Sequence, residues 1–264
     1  MTGRWPLALA AVLCALFFGA VVGHGSPLFA HAITQKALTV VASASKLAAL
    51  GAGAFFASRS ARSFDDGSAI RAAWRLMTGW FVCFFAGQTV LTAYELARGA
   101  PPVPSVGDAF FAVGYVVVIA ASVQFVAAYR SSGFPVGELK GHLLMALGAA
   151  IVFAFVGVTI LTPVATSDTP ALARVVNVGY PVLDFILLVP TLVLLRMTFA
   201  FRGGRVWTIW GTLLAGIVLF TAADIMFAIP GAEATVLAPL SDLCFLLGYG
   251  CACRGVALQR ELLG

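Results

Sequence analysis

The chain has 264 residues, of which 61% are hydrophobic and only 10% charged. A soluble domain carries about 25% charged residues, so most of this surface faces something other than water. The formal net charge of +5 comes with no basic patch interleaved with aromatics, so nothing points to nucleic acid as a partner.

Apolar runs long enough to cross roughly 30 Å of hydrocarbon as helices recur along the chain. They predict an all-α fold: a polytopic membrane helical bundle that forms one integral membrane domain over 1–264. Eight spans are expected, at 5–23, 37–58, 73–97, 107–129, 141–163, 173–199, 206–228 and 238–258. The first run has a second reading. Arg4 precedes it and Ala30-His31-Ala32 is an A-x-A pattern, so a cleaved signal peptide competes with a retained span. The length of the apolar stretch favours the span.

Loop charge tests the count. With the N-terminus inside, twelve of the sixteen Lys and Arg fall on inner segments. The outer segments carry only Lys36, Arg98 and Arg174, and Lys46 lies within the second span. Basic residues collect on the cytoplasmic side of membrane spans, so this asymmetry supports eight spans with both termini cytoplasmic. The outer loops are rich in proline and small residues, as in Gly99-Ala100-Pro101-Pro102-Val103-Pro104, where proline stops one helix before the next begins.

One stretch occurs twice. D-x-x-F-x-x-G-Y reads Asp108, Phe111, Gly114 and Tyr115 in the first copy and Asp242, Phe245, Gly248 and Tyr249 in the second. Trp74, Phe84 and Gln88 match Trp210, Phe220 and Asp224 in the same way. Repeated helical hairpins are therefore expected over 71–130 and 205–260, in parallel orientation. A diverged third hairpin over 141–199 carries Tyr180-Pro181-Val182-Leu183-Asp184.

The polar residues divide by depth. Ser105-x-x-Asp108 after a proline reads as a capping box, and Ser241-Asp242 is expected to cap in the same way. Asp184 and Asp224 lie inside spans, where a carboxylate is costly and faces a cavity or a partner. Lys46 is the expected counter-charge. Asp184, Asp224, Lys46, Asp108, Asp242, Gln88, Tyr115, Tyr180 and Tyr249 are expected to converge on an outward-opening polar pocket, as ligand-binding residues or as buried pairs that fix helix register. His24, His31 and His142 are too scattered for a metal site. The five cysteines form no framework, and no H-E-x-x-H, G-x-S-x-G or P-loop pattern is present.

Taken in order, the motifs on Pro104, Ser105, Asp108, Phe111 and Tyr115, then Tyr180, Pro181 and Asp184, then Asp242, Phe245, Gly248 and Tyr249 form a wider pattern. It resembles the multi-span N-terminal membrane sensor domains of bacterial GGDEF/EAL-type signalling proteins, over about residues 70–258. The resemblance implies a sensor in a bacterial inner membrane. No GGDEF, EAL or kinase module follows the last span here. The expectation is therefore a stand-alone sensory or receptor-like module, embedded in the lipid bilayer and signalling through a separate protein partner by its cytoplasmic loops or its Arg254–Gly264 tail. Two other readings stay open: a small ion- or proton-coupled transporter, and an accessory subunit of a larger membrane complex.

Overall fold

A computed structural model describes residues 35–99, 101–135, 137–229, 231 and 235–264, together with Val12, Leu13, Ala15, Leu16, Gly19 and Val21. Among the described residues seven helices are long and apolar enough to cross a membrane. They are α1 (Gln35–Arg62), α2 (Ala69–Arg98), α3 (Val106–Ser131), α4 (Leu139–Val156, continued to Ala165), α5 (Ala171–Met197), α6 (Arg205–Ala228) and α7 (Leu237–Leu262). They answer to the second through eighth expected spans, and their ends reach into the polar flanks. The described residues of the first run are helical, and Leu13 and Val21 pack against Ala42 of α1 and Leu246 of α7. The limits of that run, the Ala30-His31-Ala32 pattern, Cys14, His24 and His31 lie outside the described residues.

Six of the helices close a ring in the order α1, α2, α3, α5, α6, α7 and back to α1. The α2–α3 and α6–α7 hairpins are its most closely packed pairs. Its centre is aromatic: Trp74, Trp80, Phe81, Phe84, Phe125, Trp210 and Phe220 are all buried. Phe125 stands edge-on to Trp74 at 4.9 Å and to Trp210 at 5.0 Å, which joins the two hairpins through one ring. Such contacts add about 0.5–1.5 kcal/mol each beyond the area they bury.

Helix α4 stands outside the ring. Leu144, Phe155 and Val158 are 72%, 67% and 73% exposed, and an apolar surface of this kind suits contact with lipid tails. Near its end the backbone widens into a π-helical turn, Gly157–Leu161. Pro163 follows. A proline has no N–H to give the carbonyl four residues back and its ring collides with that carbonyl; a π-turn relieves the conflict. Helix α5 carries two interior prolines, Pro181 and Pro190, which leave the carbonyls of Asn177 and Ile186 without their helical N–H. Asp184 lies between those two positions.

The hairpins come together over glycine. A Cβ on Gly114 would stand 2.6 Å from the Phe84 ring, and one on Gly248 would stand 2.6 Å from the Phe220 ring. The matched positions thus do the same work: a ring from the first helix of each hairpin fills the space over a glycine of the second. Gly87 and Gly107 also approach closely in the first hairpin. The matching pair in the second is Ala223 and Ser241, and there the Ser241 hydroxyl donates to the Ala223 carbonyl at 3.1 Å.

Gly114→Ala or Gly248→Ala should lower stability by about 1–3 kcal/mol through overpacking, whereas Gly148→Ala, with open space around it, should not. Thermal unfolding of the three variants in lipid nanodiscs checks this. An unchanged melting temperature for both hairpin variants would contradict the close packing.

Candidate functional site

The site is built on helix ends and on one hydroxyl. Helix α3 starts with Ser105 as N-cap and Asp108 completing the capping box. The Ser105 hydroxyl accepts from Gly107 N–H at 3.1 Å, and Asp108 Oδ2 accepts from the Ser105 backbone N–H and hydroxyl. That use of one oxygen leaves Asp108 Oδ1 for the Tyr180 hydroxyl of α5, at 2.6 Å. Two turns into α3, on the face that carries Asp108, the Tyr115 hydroxyl lies 2.7 Å from Asp184 Oδ1 of α5 and 3.0 Å from Asp224 Oδ2 of α6. The two carboxyl groups thus converge on one hydroxyl from two different helices.

This cluster is sealed inside the ring. Asp184 is 0% exposed, Asp224 7% and Tyr115 4%. Asp184 Oδ2 is buried with no partner among the described residues. A tyrosine hydroxyl has one hydrogen to donate, and here it faces two carboxyl oxygens. Satisfying both requires a further hydrogen on one of the acids, which either donates back to the hydroxyl or is shared between the carboxyls. In a low-dielectric interior an unsatisfied polar contact of this kind is expensive.

A second polar group sits nearer the end that the charge pattern reads as outer. Lys46 of α1 pairs with Asp242 of α7 at 2.6 Å, with side chains 7% and 44% exposed. Ser43 donates to Glu95 of α2 at 3.1 Å, and Glu95 lies within electrostatic range of both Lys46 and Asp242. One cation therefore faces two acids. Tyrosines link this group to the diacid. Tyr249 is 3% exposed and lies within range of Asp224, Asp184 and Asp242. Tyr180 lies within range of Asp108, Asp224 and Tyr249, with its ring 5.8 Å from that of Tyr115.

The structure thus gives seven of the nine expected residues polar partners among themselves, Tyr115 with Asp184 and Asp224, Tyr180 with Asp108, and Lys46 with Asp242, and buries Tyr249 in the same core. Gln88 is buried, but its amide nitrogen turns toward Thr92 of its own helix, at 3.4 Å. Two expectations are corrected. Lys46 pairs with Asp242 instead of with Asp184 or Asp224, because α1 packs on α2 and α7 while the diacid is held between α3, α5 and α6. Ser241 and Asp242 do not cap α7. That helix already begins at Leu237, which places both residues inside it, one bonded to α6 and the other to α1. Ser43 joins the Lys46 group without being among the expected residues. It precedes Lys46 by three positions and so shares its helical face, a signal available in the sequence.

Among the described residues no three His, Cys, Asp or Glu side chains converge as a metal site requires. Comparisons with protein-family models, with curated proteins and with solved structures return no match for this chain.

Removing Asp242 takes the mostly buried Lys46 charge away from its ion-pair partner and leaves it only the more distant Glu95. Asp242→Asn should cost about 1–3 kcal/mol, and Lys46→Met combined with Asp242→Asn should cost less than Asp242→Asn alone. Thermal unfolding in nanodiscs reads both, and a double variant no more stable than the single one would break the pairing argument.

Proposed function

We propose that this chain is a sensory, receptor-like module of a bacterial inner membrane, with eight spans and both termini cytoplasmic. In this reading Tyr115, Asp184 and Asp224 form its switch. The observation that carries the proposal is the Tyr115 hydroxyl placed 2.7 and 3.0 Å from carboxyls of two different helices. With a proton shared in the cluster, α3, α5 and α6 are tied together. Without it, two negative charges face each other in a medium that screens poorly, and the same contacts become repulsive. Helix position and proton occupancy are thereby linked, and a ligand that favours one state shifts the other.

The input arrives at the half-exposed group of Lys46, Asp242 and Glu95, together with Asp108 and Tyr180. It passes to the diacid through Tyr249 and Tyr180. The output leaves through inner loops toward a separate protein partner. The resemblance to the membrane sensor domains of bacterial signalling proteins supports this reading, and so does the electrostatic proximity of buried Tyr249 to Asp242 and to both buried acids. A proton-coupled transporter is the second reading. It is favoured by one feature: Asp184 sits between Pro181 and Pro190, in a helix whose backbone ladder is twice interrupted, as binding sites in transporters commonly are.

Trp80 is a natural reporter. Its ring lies 5.3 Å from Phe84 and 6.2 Å from Phe220, which touch Tyr115 and Tyr249 at 5.5 and 5.0 Å. In nanodiscs, raising the pH from about 4 to about 9 should remove the shared proton, loosen the contact between α5 and α6 and shift the Trp80 emission. Asp184→Asn and Asp224→Asn should abolish the transition, and Trp80→Phe should identify its source. A flat wild-type titration would sink the switch. Proton uptake into proteoliposomes down an imposed gradient, lost in Asp184→Asn, would replace sensing by transport.

A further inference from the structure

A separate concentration of charge faces a cavity at the opposite end of the bundle. Between the last turn of α1 and the first turns of α2 lies a cavity of about 250 Å³, lined by Ser58, Ala61, Arg62, Arg71, Arg75 and Thr78. Three guanidinium groups border it. The acid paired with them is Asp66, 2.7 Å from Arg71 Nη1 and 3.7 Å from Arg75 Nη2. The Asp66 side chain is 85% exposed, so its charge is largely spent on water. Arg62 makes no ion pair among the described residues.

The three arginines are not equivalent. Arg71 has a structural task as well, since its Nη1 donates to the Phe64 carbonyl at 3.0 Å and closes the α1–α2 loop. Its Nε is buried with no partner. Arg75, with a side chain 64% exposed, and Arg62, exposed at the end of α1, hold no such loop contact. The hydroxyls of Ser58 and Thr78 donate to carbonyls of their own helices, at 2.8 and 2.9 Å. The free donors of the cavity are therefore guanidinium N–H groups, and three arginines against one carboxylate leave a net positive charge beside a space large enough for a small anion.

We infer that this cavity binds a phosphate-class anion, a phosphomonoester or phosphodiester group held by Arg62, Arg71 and Arg75. Planar guanidinium forks match the oxygens of phosphate two at a time, and three forks around one space suit a tetrahedral anion better than a flat carboxylate. The loop that carries the site joins two membrane-spanning helices, on the side whose basic residues mark it as cytoplasmic. At that level the same phosphate chemistry is presented by anionic lipid headgroups and by soluble phosphate compounds. The site does not depend on the diacid or on the sensory reading.

The test uses the full chain in nanodiscs at constant ionic strength. Melting temperature and native mass spectrometry are compared in phosphatidylcholine alone, whose choline neutralises its own phosphodiester, in phosphatidylcholine with anionic phosphatidylglycerol, and in phosphatidylcholine with inorganic phosphate or acetate added. Stabilisation and retained binding with phosphatidylglycerol alone assign a lipid headgroup; the same with inorganic phosphate assigns a soluble ligand. In either arm Arg62→Gln with Arg75→Gln should weaken binding about tenfold per arginine, with the melting temperature in plain phosphatidylcholine unchanged. Arg59→Gln should keep full binding, since Arg59 lies outside the cavity with its guanidinium over the Phe55 ring. If the glutamine pair does not fold, Arg62→Lys with Arg75→Lys keeps the charge, removes the forks and should still bind more weakly than the wild type. The site is overturned if neither phosphate probe binds the wild type, if acetate does as well, or if Arg59→Gln loses as much as the double variants.

Discussion

One hydroxyl hydrogen placed between two carboxyl groups is the constraint on which this bundle turns. Tyr115 reaches Asp184 and Asp224, so three helices that are distant in sequence meet at a point that water does not reach. Burying two acids is unfavourable unless each finds a hydrogen-bond donor. The ring of six helices holds Tyr115 against both, and the geometry of α3, α5 and α6 follows from that need. The Asp108–Tyr180 bond fixes the same α3–α5 pair a second time, nearer the helix ends. These polar contacts constrain the register between the helices, while aromatic rings such as Trp74, Trp80, Phe125 and Trp210 fill the centre of the ring.

The surrounding packing shows how the acids are held in place. Phe84 fills the space over Gly114 and Phe220 fills the space over Gly248, which brings the backbones of each hairpin close together. Without a hydrophobic driving force between helices in lipid, small residues at the contact and interhelical hydrogen bonds give association its strength. Ser241, bonded across to Ala223, is the polar version of the glycine contact in the first hairpin. The tyrosine that follows each glycine is carried inward, toward the acids.

Charge is distributed unevenly along the bundle. Toward the expected outer end, Lys46 answers Asp242 while Glu95 stays close, so acids outnumber the cation. At the opposite end, arginines outnumber the acid beside them. The two groups thus carry opposite excess charge, acids around Lys46 at one end and arginines around Asp66 at the other, and the aromatic core lies between them.

The sequence by itself determined the helical class, the positions of seven apolar helices, the matched hairpins and the burial of Asp184 and Asp224 inside the bundle. These follow from local information: length and apolarity of a run, the spacing of a motif on one helical face, the cost of an acid in lipid. The capping role of Asp108 was legible for the same reason, since its partners lie within one turn. Which groups pair was decided only by tertiary structure. Lys46 belongs to Asp242 because α1 closes the ring against α7, and nothing in the spacing of spans reveals ring order. Asp242 matches Asp108 in the repeat but sits inside a helix that starts earlier, so equivalent residues take different partners. The Arg62–Arg71–Arg75 cavity likewise exists only where two helix ends meet, because a cavity is a property of packed surfaces and leaves no trace in a single run of residues.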